Sequence, residues 1–281
     1  MAKDLQAAAL KAVVAEECSS DIDVVVHESI DSTNSWCLQQ SRAGKSLPFA
    51  CFAEEQRQGR GRRGKDWLMS RCSNIAMSVA WPFVVSYQQM QLLPLSIALA
   101  IVDTLESFGI EHVQIKWPND VYVRDKKIAG ILIETQPVKG KLEEEKHVAV
   151  VVGVGLNYDM SMLDKKMQQT LILTDINSEA ESQSLEIKPE RTKVASTLLQ
   201  NIVVVCQNYQ QASKYSLEKF RAQYDYCKEK NVEVILDNDD VLSGLAQGVN
   251  DNAELLVLID GQQRAFISAE VSVKAAKEAG A

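Results

Sequence analysis

The spacing of apolar residues changes character several times along the chain, and each change marks an element. Leu5, Leu10, Val13 and Val14 recur near helical spacing within residues 2–17, and the polar break CSSDID separates them from an apolar run at 24–26. That pattern predicts a helix followed by a strand. Asp31 and Ser32 are suited to cap a short helix beginning at TNSWCLQQSRAG, with Trp36 and Leu38 inward and Gly44 as its stop. A second strand is expected at 48–53. Ile75, Met77, Val79 and Trp81 then alternate strictly, the period of a half-buried strand ended by Pro82. A mostly apolar helix is predicted over 92–109, followed by strands at 113–116, 121–124 and 128–134 with PND and DKK as turn chemistry between them.

The unbroken apolar run 148–154 suits a strand buried on both faces. A surface loop is expected at 177–188, and two helices at about 190–211 and 216–227. Beyond Lys230 the texture shifts to short strands at 232–236, 241–247, 255–259 and 264–267, separated by DNDD, GVNDN and DGQQ. The expected organisation is therefore an α+β domain over residues 1–228 and a small β-barrel over 229–281.

Composition narrows the class. Of 281 residues, 46% are apolar and 24% charged, the range of an ordinary globular protein. Thirty Lys and Arg against 38 Asp and Glu leave a formal charge of -8, so any anion must be met by a local basic site rather than by the surface as a whole. The six cysteines form no C-x-x-C pair and the first residues lack a secretory pattern, which together predict a reduced, cytoplasmic setting. The longest mostly apolar stretch, at 92–102, is far short of the roughly 20 residues that cross a bilayer. No membrane association is expected. His27, His112 and His147 lie far apart and near no metal-ligand spacing, so no structural zinc is predicted.

Three segments carry candidate chemistry. The first, Glu54 to Trp67, packs Arg57, Arg60, Arg62, Arg63 and Lys65 together with Gly59, Gly61 and Gly64. It satisfies G-x-G-x-x-G literally, and G-x-x-x-x-G-K up to Lys65. Asp66 stands where a phosphate loop needs Ser or Thr, however, and a strand pattern follows where both fingerprints require a helix. A solvated basic loop is the plain alternative; a loop that folds over an anion is the other, since glycines let backbone approach a ligand and guanidinium forks grip carboxylate or phosphate oxygens. The second segment is Lys116-Trp117-Pro118-Asn119-Asp120, followed by Lys127 and Ile128 to Glu134, so that two lysines bracket a hairpin. The third, Gly153 to Asn157, is a strand end relieved by glycines.

In this order and spacing the segments resemble the biotin protein ligases. The likeness runs through Asp31-Ser32-Thr33-Asn34, Gln56 with Gly59 to Gly64 and Trp67, Lys116 to Asp120, Lys127 to Gly130, and Gly153 to Asn157. It is strong over about residues 24–160, and the texture after 230 is similar to that family's SH3-like C-terminal domain. The resemblance implies a mixed β-sheet catalytic domain with flanking helices, of the class II synthetase-like kind. It further implies biotin, ATP and Mg2+, with formation of biotinyl-5'-adenylate and transfer to a lysine of a biotin carboxyl carrier protein.

By the same resemblance, Ser32, Thr33, Asn34, Gln56, Arg60, Gly61, Arg62, Lys127, Gly130 and Leu132 are expected to bind biotin. Arg62, Arg63, Trp67, Lys116, Asn119, Asp120 and Asn157 are expected on the ATP side, with Arg62 and Lys127 as the catalytic pair. These types suit the chemistry. A ureido ring needs neutral donors and acceptors, a valeryl chain an apolar sleeve, and carboxylate attack on a phosphate needs cations. Asp120 is assigned to magnesium or to the incoming lysine, and Lys274 to the nucleotide.

About 23 residues precede the first predicted strand, too few for a three-helix DNA reader of roughly 60, so no DNA binding is expected. Arg71-Cys72-Ser73 stands where the family usually has a glycine. A homodimer, lipoate-type acyl transfer and biotin binding without transfer remain the open alternatives.

Overall fold

In the computed structural model the described residues are 4–17, 22–84, 89–137, 147–163, 172–268 and 271–275. A seven-stranded sheet is built from β1 (Asp23–His27), β2 (Phe49–Ala53), β3 (Asn74–Val84), β4 (Val113–Lys116), β5 (Asp120–Val123), β6 (Lys126–Pro137) and β7 (His147–Asn157), in the order β1-β2-β3-β7-β6-β5-β4. Only β1 and β2 are parallel, and helix α2 (Thr33–Arg42) makes the crossover that parallel pairing requires. All other pairs are antiparallel, so the sheet is mixed.

The pleat sorts the central strands into two faces. On one face Ile75, Met77 and Val79 of β3 lie beside Leu156, Val154 and Val152 of β7. All are buried in the main core, covered by α1 (Ala7–Glu17), α3 (Leu93–Ser107) and α5 (Arg191–Lys219). The other face carries Cys51, Ser78, Ala80 and Val151, with α2 and its Cys37 packed over part of it. β3 is consequently buried on both faces, not on one, and Pro82 lies inside it rather than ending it.

Two further expectations change. Residues 191–219 form one helix in place of two, because nothing between 211 and 216 breaks it, neither proline nor glycine; it closes in a single π turn, Phe220–Tyr224. The segment expected as a loop contains α4 (Ile176–Ser182), whose start is capped by Asp175 accepting from Ser178 N at 2.8 Å. Inside it, Glu179 is buried and accepts a 2.6 Å hydrogen bond from Thr174 Oγ1, a satisfied polar group that composition alone reads as surface.

The C-terminal unit is a five-stranded antiparallel sheet of β8 (Asn231–Leu236), β9 (Val241–Val249), β10 (Leu255–Ile259), β11 (Gln262–Phe266) and β12 (Val271–Ala275), in the order β11-β10-β9-β8-β12. The fifth strand is absent from the periodicity reading. Lys274 sits in β12 opposite Glu233, and its side chain lies outside the described residues. The KWPND turn meets the C-terminal unit through Trp117, 2% exposed, which donates its indole N–H to Ala253 O at 2.8 Å.

Below the arginine-rich loop lies a buried ion pair. Arg191, the first residue of α5, meets Glu54 at 2.6 Å with both side chains 2% exposed, and it also donates to Asn74 O at 2.7 Å. Leu5 N donates to the other oxygen of Glu54. The two charges are thus paired and hydrogen-bonded, which is what burial demands of them. Removing one partner strands the other, so Arg191→Met is expected to lower the unfolding free energy by about 3–5 kcal/mol in urea titrations. Glu54→Gln, which keeps an acceptor for Arg191, is expected to lose less.

Candidate active site

The basic segment is an ordered loop closed by its own backbone hydrogen bonds, although many of its residues are exposed. Trp67 N donates to Gly59 O at 2.9 Å and Gly61 N to Lys65 O at 2.6 Å, closing a small hairpin that swings through a left-handed Arg63 (φ 54°). Gly59 is required there because a Cβ would collide with the Trp67 carbonyl. Arg57 pairs with Asp31 at 2.7 Å on the surface and ties the base of the loop to the start of α2. Cys72, which stands where a glycine was expected, does adopt a left-handed φ of 60°. Its N–H donates to Glu54 O at 3.0 Å, so the turn is kept without the glycine.

Behind this loop a cleft is lined by Ser32, Thr33, Asn34, Gln56, Arg60, Gly61, Arg62, Arg63, Trp67, Lys116, Asn119, Asp120, Lys127, Gly130 and Leu132. Of the residues expected at the site, Asn157 is not among those lining the cleft, and the side chain of Lys274 lies outside the described residues. The cleft lies on the sheet face opposite the main core. Its floor is made of Gly130, Gly153 and Gly155, with Gly130 opposite Gly155 and Leu132 opposite Gly153 in the β6–β7 register. A Cβ at Gly155 would overlap the Trp67 ring, and one at Gly153 would overlap the Asn34 amide. The alternation of glycine with Val152, Val154 and Leu156 therefore has a cause: one face fills the core while the other must be bare.

The inner end is tightly bonded and is formed by the neutral groups of Thr33, Asn34 and Gln56, with the Arg60–Glu134 ion pair against the Asn34 amide. Gln56 Oε1 accepts from Thr33 N at 2.8 Å and from Thr33 Oγ1 at 3.1 Å. Asn34 Nδ2 donates to Leu132 O at 3.1 Å and to Glu134 Oε2 at 2.9 Å, while Ser78 Oγ lies 2.6 Å from Asn34 Oδ1 and 2.8 Å from Thr33 Oγ1. Ser32 caps α2. Ser78 and Glu134 were not singled out by motif; Ser78 carried one signal, a lone hydroxyl within an apolar alternating strand.

The outer end is charged. Lys127 Nζ pairs with Asp120 at 2.7 Å and lies 5.5 Å from the centre of the Trp67 ring. It reaches the cleft because of a β-bulge: Val121 pairs with Ala129 and Tyr122 with Lys127, so Ile128 is an extra residue. In regular alternation Lys127 and Gly130 would face opposite sides; the bulge puts both on the cleft side, where a Cβ on Gly130 would lie 3.1 Å from Lys127 Nζ. Arg62 donates to Asn119 Oδ1 at 2.9 Å and to the Ser268 carbonyl of the C-terminal unit. Burial pushes the Arg62 pKa down and nearby Asp120 pushes it back up. Burial likewise lowers that of Lys116, which stands 5.2 Å over the Tyr122 ring. Arg60 pairs with Glu134 at 2.6 Å.

Two expected nucleotide residues are placed differently. The Arg63 guanidinium turns to the C-terminal unit, donating to Ile235 O and Leu236 O at 3.1 Å and pairing with Asp237 at 2.7 Å. Asn157 is 2% exposed, outside the cleft, and its amide is spent on Asn74 and on the carbonyls of Thr174 and Lys127. The resemblance implies a place on the nucleotide side, whereas here the neighbouring strand β3 supplies its partner.

The model of the Biotin/lipoate A/B protein ligase family matches residues 26–157, and that of the biotin protein ligase C terminal domain matches 229–274; together they cover more than half of the chain. The chain belongs to the biotin protein ligase family. It is 27% identical over 255 residues to the bifunctional ligase/repressor BirA of Escherichia coli K12, covering 91% of this chain and 75% of that protein. The biotin--[acetyl-CoA-carboxylase] ligase of Mycobacterium tuberculosis H37Rv is 29% identical over 247 residues, 86% of this chain and 84% of the relative. The biotin protein ligase from Aquifex aeolicus in complex with biotin and ATP shares the fold, with a TM-score of 0.71 at 21% identity over 90% of this chain and 99% of that one.

Within this biotin protein ligase fold, Trp67 lies on the glycine floor with its indole N–H buried and unpaired. Gly155→Ala is expected to displace the ring, seen as a shift in tryptophan emission that disappears in a Trp67→Phe background. An unchanged emission spectrum would contradict the close approach described here.

Proposed function

We propose that the cleft catalyses ATP-dependent biotinylation in two steps, the activity characteristic of the family to which the chain belongs. In the first, an oxygen of the biotin carboxylate attacks the α-phosphorus of Mg-ATP, the bond to the bridging oxygen breaks, and pyrophosphate leaves with biotinyl-5'-adenylate remaining. In the second, the uncharged amine of a carrier-protein lysine attacks the acyl carbon, an amide forms, and AMP departs. The observation that carries this reading is the polarity of the cleft: a neutral end made by Thr33, Asn34 and Gln56, a bare glycine floor, and a cationic end where Arg62 and Lys127 stand around Asp120.

Each part has a task. Neutral donors and acceptors suit the ureido ring, and the floor with Trp67 and Leu132 suits an apolar chain. The cations supply what the first step lacks, since a carboxylate and a triphosphate repel one another and the departing charge needs partners already in place. Arg62 and Lys127 are each engaged by a neighbouring side chain, Asn119 and Asp120, so substrate anions exchange partners with them rather than meeting bare charges. Asp120 is the carboxylate suited to face the magnesium of Mg-ATP once Lys127 turns to phosphate. Arg60, Lys116 and Asn119 complete the polar wall. The carrier that membership of this family implies is a biotin carboxyl carrier protein.

The test is pyrophosphate exchange into ATP, with biotin and then lipoate as the acyl substrate. Biotin-dependent exchange is expected, and exchange with lipoate alone would replace this reading with lipoate-type transfer. Arg62→Ala and Lys127→Ala are each expected to slow exchange by about 100-fold or more. Transfer of biotin to a carrier domain should fail in the same variants.

A further inference from the structure

Asn74 touches nothing in the cleft, yet the hydrogen bonds that start from it end at Lys127. It is fully buried at the first position of β3, directly opposite Asn157 in the β3–β7 register. Its Nδ2 donates to Asn157 Oδ1 at 2.8 Å, while its Oδ1 lies 2.6 Å from Ser73 Oγ, whose single proton also has Ser70 O at 2.7 Å as an acceptor; the Asn157 oxygen therefore sets which way the Asn74 amide faces. With its oxygen engaged, Asn157 can present only its NH2 on the far side. That group donates to Thr174 O at 2.9 Å and to Lys127 O at 3.3 Å. The backbone of Lys127 is clamped by the same short segment, because Lys127 N donates to Ile172 O at 2.9 Å and Thr174 N donates to Lys127 O at 3.0 Å.

The clamp sits where the strand is irregular. Ile128 is the extra residue of the bulge, and the ladder with β5 is interrupted beside Lys127. A bulge leaves the direction of the side chain before it less constrained by the ladder, so other contacts must set it. Here they are the 172–174 segment and the Asn157 amide that holds both strands of that small junction together. We infer that Asn74 is a positioning residue for the first step: by fixing the Asn157 amide it fixes the bulged backbone from which Lys127 reaches the reacting phosphate. The inference rests on the role given to Lys127 under the proposed function and extends it to a pair of asparagines buried at the end of the β3–β7 ladder, beyond the glycine floor.

Asn74→Asp is the first test. It keeps the shape and the acceptor for Ser73 but places an oxygen against Asn157 Oδ1, so the Asn157 amide must turn or shift. Asn74→Ser, uncharged and smaller, is the second. Each is measured in biotin-dependent pyrophosphate exchange, alone and combined with Lys127→Met, alongside urea unfolding. The expected result is a fall in kcat of about tenfold or more, with little change in KM for biotin, whose end of the cleft is held by Thr33 and Asn34. In the Lys127→Met background the same substitution is expected to change kcat by less than about twofold, since coupled residues lose their effect together. An equal fall in both backgrounds, or no fall in either variant, overturns the positioning role. Wild-type rates in Lys127→Met alone would instead overturn the role of Lys127 itself, a different outcome from either. Should Asn74→Asp unfold, Asn74→Ser decides the matter by the same cycle.

Discussion

The arrangement depends on one constraint: β7 must be bulky on one face and empty on the other. Its pleat lets Val152, Val154 and Leu156 complete the core beneath the helices, while Gly153 and Gly155 leave the opposite face open to Asn34 and Trp67. A side chain at either glycine would close the cleft, and a glycine at any of the three apolar positions would leave a void in the core. The site is therefore not a pocket added to a fold. It is the back of the same strand that the core requires.

Around this floor the charges are distributed so that few stand alone. Arg60 pairs with Glu134, Arg63 with Asp237, Lys127 with Asp120, and Arg62 reaches Asn119 and the Ser268 carbonyl. Two of the loop's arginines thus reach the C-terminal unit, so the small sheet helps hold the catalytic loop in place. An acidic chain that binds anions needs such pairing, because clustered cations repel one another unless acceptors stand between them.

Much of this was legible in the chain. Glycine alternating with apolar residues, an arginine-glycine loop that ends in Trp67, and a KWPND turn followed by Lys127 are local patterns, and each marks a place where the backbone approaches a ligand or a charge is concentrated. The edge of legibility is equally specific. Residues 191–219 read as two helices because their apolar pattern weakens, although no breaker interrupts them. Glu179 read as surface because a buried carboxylate needs the Thr174 hydroxyl, a partner that periodicity does not reveal.

The sequence by itself determined most of the elements and the segments that meet at the cleft, since these follow from period, spacing and local chemistry, and the order of its motifs carried the resemblance to the family. The tertiary structure decided where side chains point when a partner strand intervenes. Only the β5–β6 register shows that Ile128 is bulged and that Lys127 shares a face with Gly130. Only the β3–β7 pairing turns Asn157 away from the cleft and toward Asn74, and only the packing of the C-terminal sheet draws Arg63 to Asp237. Such choices depend on hydrogen-bond partners distant in sequence, which a local pattern cannot specify.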